Sequence, residues 1–578
     1  MHQPMNRSLL VLMASAMLAS CASSPKAPSG SQASAPIAAE PAVEALPNVP
    51  LDAATLYNIL LGEIAGQRGQ VGVAAQTLGK VAQQTRDPRL AERATLAATY
   101  ARRFEEALVS AKLWVELQPD DPDARESLAG ILMELDRPDE ALVQFERLIV
   151  LETPRSNPEQ AYMRVVSVLS RHTQRASALT VMQQLVDQNP KVPAAQFALT
   201  HLSVRMGDFP RALQAADTAL VLRPGWEEAA LFKARILVSL KEMGKAQQFY
   251  EEFLAQYPHA TTVRLNYARH LIDQRQWSKA RSEFTRVLSD MPNDADTIYA
   301  IALLSLQTQE LDDAEKYMKR TLALRPQHDQ ARYYLGQVAE QRKDYAEAIR
   351  WYSEIGPGEN YFEAQTRIGM MKARQGDIPG ALAHLRSLSP TTDQQRVQLI
   401  LSEEQILREA RKYEEALAVL NQGLKQLPGD KDLLYARALI AEKLNLIQVV
   451  ESDLRSVLKK DPKNAHALNA LGYTLADRTN RLQEANALLS EALALRPDDA
   501  FILDSMGWLQ YRMGNNAEAV RYLKRALEVR NDAEIAAHLG EVLWVMGNRR
   551  EAESVWSRAL REAPDNEAVL DAIKKFKQ

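Results

Sequence analysis

Four prolines, Pro224, Pro258, Pro292 and Pro326, follow one another at intervals of 34 residues. Twelve residues ahead of each stands an alanine: Ala212, Ala246, Ala280 and Ala314. Two residue types locked in phase over so long a period are the mark of stacked repeats, each too small to bury its own apolar face. No single globular core imposes such spacing. The chain is expected to be an all-α solenoid of helix–turn–helix units.

One unit explains the rest. Ala280, Phe284, Val287 and Leu288 recur three and four apart, which puts them on one face of a helix. The alanine suits the point where two paired helices approach most closely. Proline cannot continue a helix and so closes the second one. Capping residues follow it, as in Asn293-Asp294 after Pro292 and Asp498-Asp499 after Pro497. Gly207, Gly376, Gly514 and Gly547 each lie five residues before a phase alanine, where the turn inside the pair needs a positive φ. The aromatic residues four after the phase position (Phe145, Tyr250, Phe284, Tyr352 and Trp556) are assigned to the core.

The phase can be followed from Ala107 to Ala552, mostly at intervals of 33 to 35. Between Leu51 and Gln578 this gives about 14–15 units. Residues 51–88 read as a degenerate first unit, with Leu56, Leu60, Ala74 and Leu78 turned inward. An end unit has a face without a neighbour and is expected to be atypical. Residues 89–355 form a first half of the array and 356–578 a second, ending in a capping helix; Gly356-Pro357-Gly358 breaks the chain between them. The step from Ala141 to Ala178 is longer, with the surplus at Pro154–Pro158. Val450 replaces the small phase residue, and a more open pair is expected there.

Composition narrows the function. A net charge of −4 over 578 residues gives no electrostatic case for nucleic acid. Nine histidines and one cysteine leave little for a metal site. No metal-binding His-Glu-x-x-His, phosphate loop or nucleophile elbow occurs. The expectation is a protein without catalytic residues, cofactor, metal or small-molecule substrate. The single cysteine is informative by position. Arg7 precedes the apolar run Leu9–Ala19, which is too short to cross a bilayer and has the order of an export signal. Residues 22–50 are rich in Ala, Ser and Pro and lack apolar periodicity, as a tether would.

In its alanine–proline frame the array resembles the tetratricopeptide repeat (TPR) family. That resemblance implies an inner surface lined by the first helix of each pair, where ligands are held. With the phase alanine at position 20, positions 2, 5, 6, 9 and 12 face inward. They place Phe501, Asp504, Ser505, Trp508 and Tyr511 in one unit, and His466, Asn469 and Tyr473 in the unit before it. Tyr333, Tyr334, Arg367 and Met370 fall in the same rows mid-array. Exposed aromatic rings there suit the anchoring of a protein partner.

Leu18-Ala19-Ser20-Cys21 is similar to the lipobox of bacterial lipoproteins, which implies a signal peptide over residues 1–20, a lipidated Cys21 and, with Ala22 next, the outer membrane. Segments 467–473, 502–508 and 535–544 go beyond generic repeats and look like the large TPR lipoproteins of Gram-negative bacteria that partner a periplasmic carboxyl-terminal processing protease. The resemblance implies an adaptor that brings substrates such as cell-wall hydrolases to the protease. The other reading of the same architecture is a structural lipoprotein of an envelope assembly, or of an exopolysaccharide or pilus secretion machine.

Overall fold

A computed structural model describes Val49 and residues 51–576. Its described residues form thirty-one α-helices and no strand. Cys21, the apolar leader and the tether lie outside the described residues. From Ala53–Gln67 with Val71–Thr85 to Ala533–Val545 with Arg549–Glu562, the helices run as fifteen successive pairs, and Glu567–Phe576 stands alone at the end. The expected all-α solenoid of about 14–15 helix–turn–helix units is what the chain adopts.

The local chemistry follows the repeat. Asp294 and Asp499 accept hydrogen bonds from backbone N–H groups of the first turns they precede, satisfying donors the helix cannot. The four periodic prolines stand two residues beyond the ends of second helices, at Leu222, Gln256, Asp290 and Leu324. Gly207, Gly376, Gly514 and Gly547 hold φ between 82° and 91° and end the first helix of their pairs. Every aromatic residue assigned to the core by its phase is buried: Phe145, Tyr250, Phe284, Tyr352 and Trp556. In several pairs such a ring or a leucine fills the space over a glycine of the first helix, as Tyr352 does over Gly336 and Trp556 over Gly540.

The chain divides into two compact units, the first ending at Ala314 and the second beginning at Glu315. In the second unit, each first helix from Tyr361–Arg374 onward touches the first helix of the next pair, and the last one touches Glu567–Phe576. First helices therefore line the inner side of that stack. In the first unit the helices Pro122–Glu134, Pro158–Leu169 and Pro193–Met206 touch in the same way, as do Glu227–Ser239 and Thr261–Asp273. The Gly356-Pro357-Gly358 stretch lies within the second unit. There it follows the helix Tyr345–Ser353, which is only 9 residues long where most second helices have 14. The last helix buries Val569 and Ala572 in the same core as Ile535, Leu539 and Trp556.

Two expectations fail. Leu56 and Leu60 are not turned inward: they are 48% and 51% exposed, while Ala74 and Leu78 are buried. Among the described residues the first helix has a neighbour on one side only, and its glycine Gly62, packed against Leu78, makes the contact. The pair around Val450 is not loosened. Val450 is 1% exposed, and Asn445 takes φ 58° in place of the missing turn glycine. Across from it stand Ala438 and Ala441, buried in the same cluster, so small residues on the first helix accommodate the larger side chain.

Candidate functional site

The inner row of the second unit ends in a continuous polar and aromatic network. It is carried by three first helices, Ala465–Arg478, Ala500–Arg512 and Ala533–Val545, and by the last helix. At its centre the ring of His538 stacks on Trp508, with centroids 4.3 Å apart, and Tyr511 lies 5.1 Å from the same indole. Nδ1 of His538 is 2.9 Å from Oδ1 of Asp504 and 3.1 Å from Oδ2. The indole N–H of Trp508 donates to Asp477 at 2.9 Å. Arg478 pairs with Asp477 at 2.8 Å, and Lys575 of the last helix pairs with Glu541 at 2.6 Å. Tyr473 faces His538 from two units before, at 6.3 Å.

Burial opposes a charge on His538, but Asp504, helped by Glu541 and Asp477, outweighs it and raises the imidazole above its ordinary value. Burial, then Asp477, Asp504 and Glu442, push the Tyr473 hydroxyl well up, so it stays a hydrogen-bond donor. Tyr511 is raised by burial and Glu541. One arginine, one lysine and a histidine thus sit among four carboxylates, with three aromatic rings between them. No nucleophile with its own base stands among these named groups, whose carboxylates are held by the cations and rings around them.

The inner-row residues named from the sequence separate into two sets. Tyr473, Asp504, Trp508 and Tyr511 do come together, but Trp508 is only 8% exposed and Asp504 and Ser505 are buried. The rings expected to stand free are already engaged. Phe501 is the exposed ring of the row, at 46%, under the guanidinium of Arg530 at 4.9 Å. His466 is exposed, while Asn469 is half-buried and its Oδ1 has no hydrogen-bond partner. Mid-array, Arg367 bridges Glu340 and Glu363 at 3.2 Å each, and Glu363 also accepts from Gln398. Tyr333 lies against Tyr352 at 5.6 Å, its hydroxyl pushed up to about 12 by burial and Glu363. Tyr334 is buried and leaves the row, whereas Met370 packs on the cores to either side. His538, Asp477, Glu541 and Lys575 were not singled out from the sequence. His538 was within reach, since it holds position 6 of its own unit.

A second concavity, of about 410 Å³, lies in the first unit beside Arg264, Glu283, Tyr267 and Glu251. Its charges are spent on one another, Arg264 on Glu283 at 2.5 Å and the Tyr267 hydroxyl on Glu251 at 2.6 Å. No group of three or more potential metal ligands occurs among the described residues, and none of their helices is long and apolar enough to cross a membrane.

Comparison with known proteins agrees with the repeat. Family models described as tetratricopeptide repeat match residues 77–160, 201–261, 299–361 and 451–500, and a second such model matches 237–306 and 510–575. A TPR repeat-containing protein of Pseudomonas aeruginosa is 34% identical over 540 residues, covering 93% of this chain and 90% of that protein. Cellulose synthase operon protein C of Pseudomonas fluorescens is 25% identical over 80% of this chain, which spans 33% of that longer protein. The type IV pilus assembly protein PilF of Pseudomonas aeruginosa is 26% identical over 23% of this chain and 53% of its own length.

Proposed function

The chain belongs to the tetratricopeptide repeat family, and from that premise we propose that it is a lipid-anchored adaptor on the periplasmic face of the outer membrane. It holds protein partners on the inner rows of its repeats and brings substrates, such as cell-wall hydrolases, to a carboxyl-terminal processing protease. That TPR arrays are protein-binding scaffolds is common ground; the anchor, the compartment and the protease are the proposal. The observation that carries it is the network around Trp508 and His538. Beside it the exposed ring of Phe501 and the half-buried ring of Tyr511 stand on the inner row, held next to fixed charged groups, as a docking surface requires. The export-type leader ending at Cys21 and the segments 467–473, 502–508 and 535–544 support the rest.

The second reading, a structural component of an envelope secretion machine, draws on the weaker likeness to the cellulose-operon and pilus-assembly proteins. Affinity capture separates the two. The mature chain without its lipid, used as bait on detergent-solubilised envelopes, should recover a processing protease by mass spectrometry. Recovery of secretion-channel subunits in its place would overturn the adaptor reading in favour of the second.

A further inference from the structure

The first unit carries a surface of different chemistry. Between the first helices Pro193–Met206 and Glu227–Ser239, four aromatic side chains meet in place of close backbone contact. His201 stacks on Phe232 at 3.9 Å and meets the edge of Phe197 at 4.7 Å, and Phe197 lies 4.6 Å from Trp226. Phe197, His201 and Phe232 hold positions 5, 9 and 6 of their units, the inner rows, and are only half-buried. Around these rings the charge is positive. Arg205 and Arg235 are exposed, and neither has a carboxylate within ion-pairing distance among the described residues. Arg205 reaches only Ser170 Oγ, at 2.6 Å, and Arg235 lies 5.9 Å from the Phe232 ring.

Each of these two arginines has a counterpart at the same position of a neighbouring unit. Arg171 stands 34 residues before Arg205 and touches only Ser167 Oγ, at 3.3 Å. Arg269 stands 34 after Arg235, and its Nε is buried without a hydrogen-bond partner. The arginine over Trp226 differs, because Arg223 is spent on Glu159 at 2.7 Å. His201 registers the local field: burial, then Arg235 and Arg205, hold it down at about 4, so it is a neutral ring at ordinary pH. Arg171, Arg205, Arg235 and Arg269 thus form a group of arginines on four successive units with no carboxylate in ion-pairing distance among the described residues.

We propose that this cradle binds an extended acidic peptide segment of a partner protein, with its carboxylates on Arg205 and Arg235 and an apolar or aromatic side chain between Phe197, His201 and Phe232. The planar guanidinium matches a carboxylate through two parallel N–H donors. An extended chain advances about 3.3 Å per residue, so acidic residues a few positions apart address the two arginines with the intervening side chain on the rings. Nucleic acid fits less well, since its affinity rests on many clustered cations and this chain is net negative. The inference stands on the first unit alone and goes beyond the adaptor reading, since it holds whichever protein the second unit engages.

The test is fluorescence anisotropy with the mature full-length chain and a labelled octapeptide of alternating Asp and Phe. The same peptide with Asn for Asp and an eight-nucleotide oligothymidylate serve as comparison probes. The acidic peptide should bind at least about tenfold more tightly than its Asn counterpart at low salt, and the difference should shrink as salt is raised. Arg205→Gln with Arg235→Gln should abolish that difference while leaving the circular dichroism spectrum unchanged, since both side chains are exposed. Arg235→Glu should reverse it toward a Lys-Phe peptide. Equal binding of the acidic and neutral peptides would overturn the proposal, as would a preference that survives the double substitution. So would tighter binding of oligothymidylate through the same arginines.

Discussion

Arg275 holds φ 57° at the turn inside its pair, where Gly207 or Gly514 stands in other units. Eight non-glycine residues share that position and conformation: Arg102, Asp136, Lys241, Arg275, Gln309, Lys343, Arg411 and Asn445. An L-residue in the left-handed region gives up about 1 kcal/mol or more through its Cβ, and asparagine gives up less. Arg275→Gly should therefore stabilise its pair by about 0.5–1 kcal/mol, and Asn445→Gly by less, read as slower local hydrogen exchange. The other telling residue is His538. Its proton is favoured in the folded chain above the ordinary value of 6.5, through Asp504 chiefly and Glu541 and Asp477 beyond it. A raised folded value means the stabilisation is complete below the unfolded value and is lost as pH rises through the folded one. Exchange protection over residues 500–545 should thus be fullest below the ordinary value of 6.5 and fall as pH rises above it, and His538→Gln should flatten the fall. His538→Ala leaves Asp504 buried and unpaired and should cost about 3 kcal/mol.

At the scale of the helix pair, the deciding contact is a bare backbone against a large side chain. A Cβ on Gly540 would lie 2.0 Å from Nε1 of Trp556, and one on Gly336 2.4 Å from Cε1 of Tyr352. Gly540→Ala should destabilise its pair by about 1–3 kcal/mol through overpacking. A second substitution, Trp556→Ala, should recover part of that loss, so that the two are non-additive in a denaturation cycle. The ring of this contact was readable from the sequence, because phase fixes which residues of a unit turn inward; the glycine it covers was not. The turn positions, the capping aspartates and the five core aromatics were readable for the same reason. Contacts between units were not. Trp508 looks exposed when only its own helix is considered; it is covered by His538, thirty residues on, and tied to Asp477, thirty-one residues back. Leu56 and Leu60 fail in the opposite sense, since an amphipathic pattern records an intended face and cannot supply the neighbour that would cover it. The small residues opposite Val450 were equally invisible, because compensation across a contact leaves no periodic signal.

At the scale of the whole molecule, two inner surfaces differ in charge, each within its own unit. The proposed anchor rests on Cys21, the sole cysteine of the sequence. Cys21→Ser should release a folded protein from membranes, seen as a change from the detergent to the aqueous phase on partitioning; an unchanged partition would remove the anchor from the account. The central claim, that the inner row of the second unit is where a protein partner sits, is tested most directly by site-specific photo-cross-linking in the living cell. A photoreactive side chain would be placed at Phe501 or Tyr511 on the inner row, and at Arg521 on the exposed face of the second helix as the control. The account predicts discrete protein adducts from Phe501 and Tyr511, with a processing protease or its substrate among them, and none from Arg521. Inner positions without adducts, or the same adducts from Arg521, would contradict it.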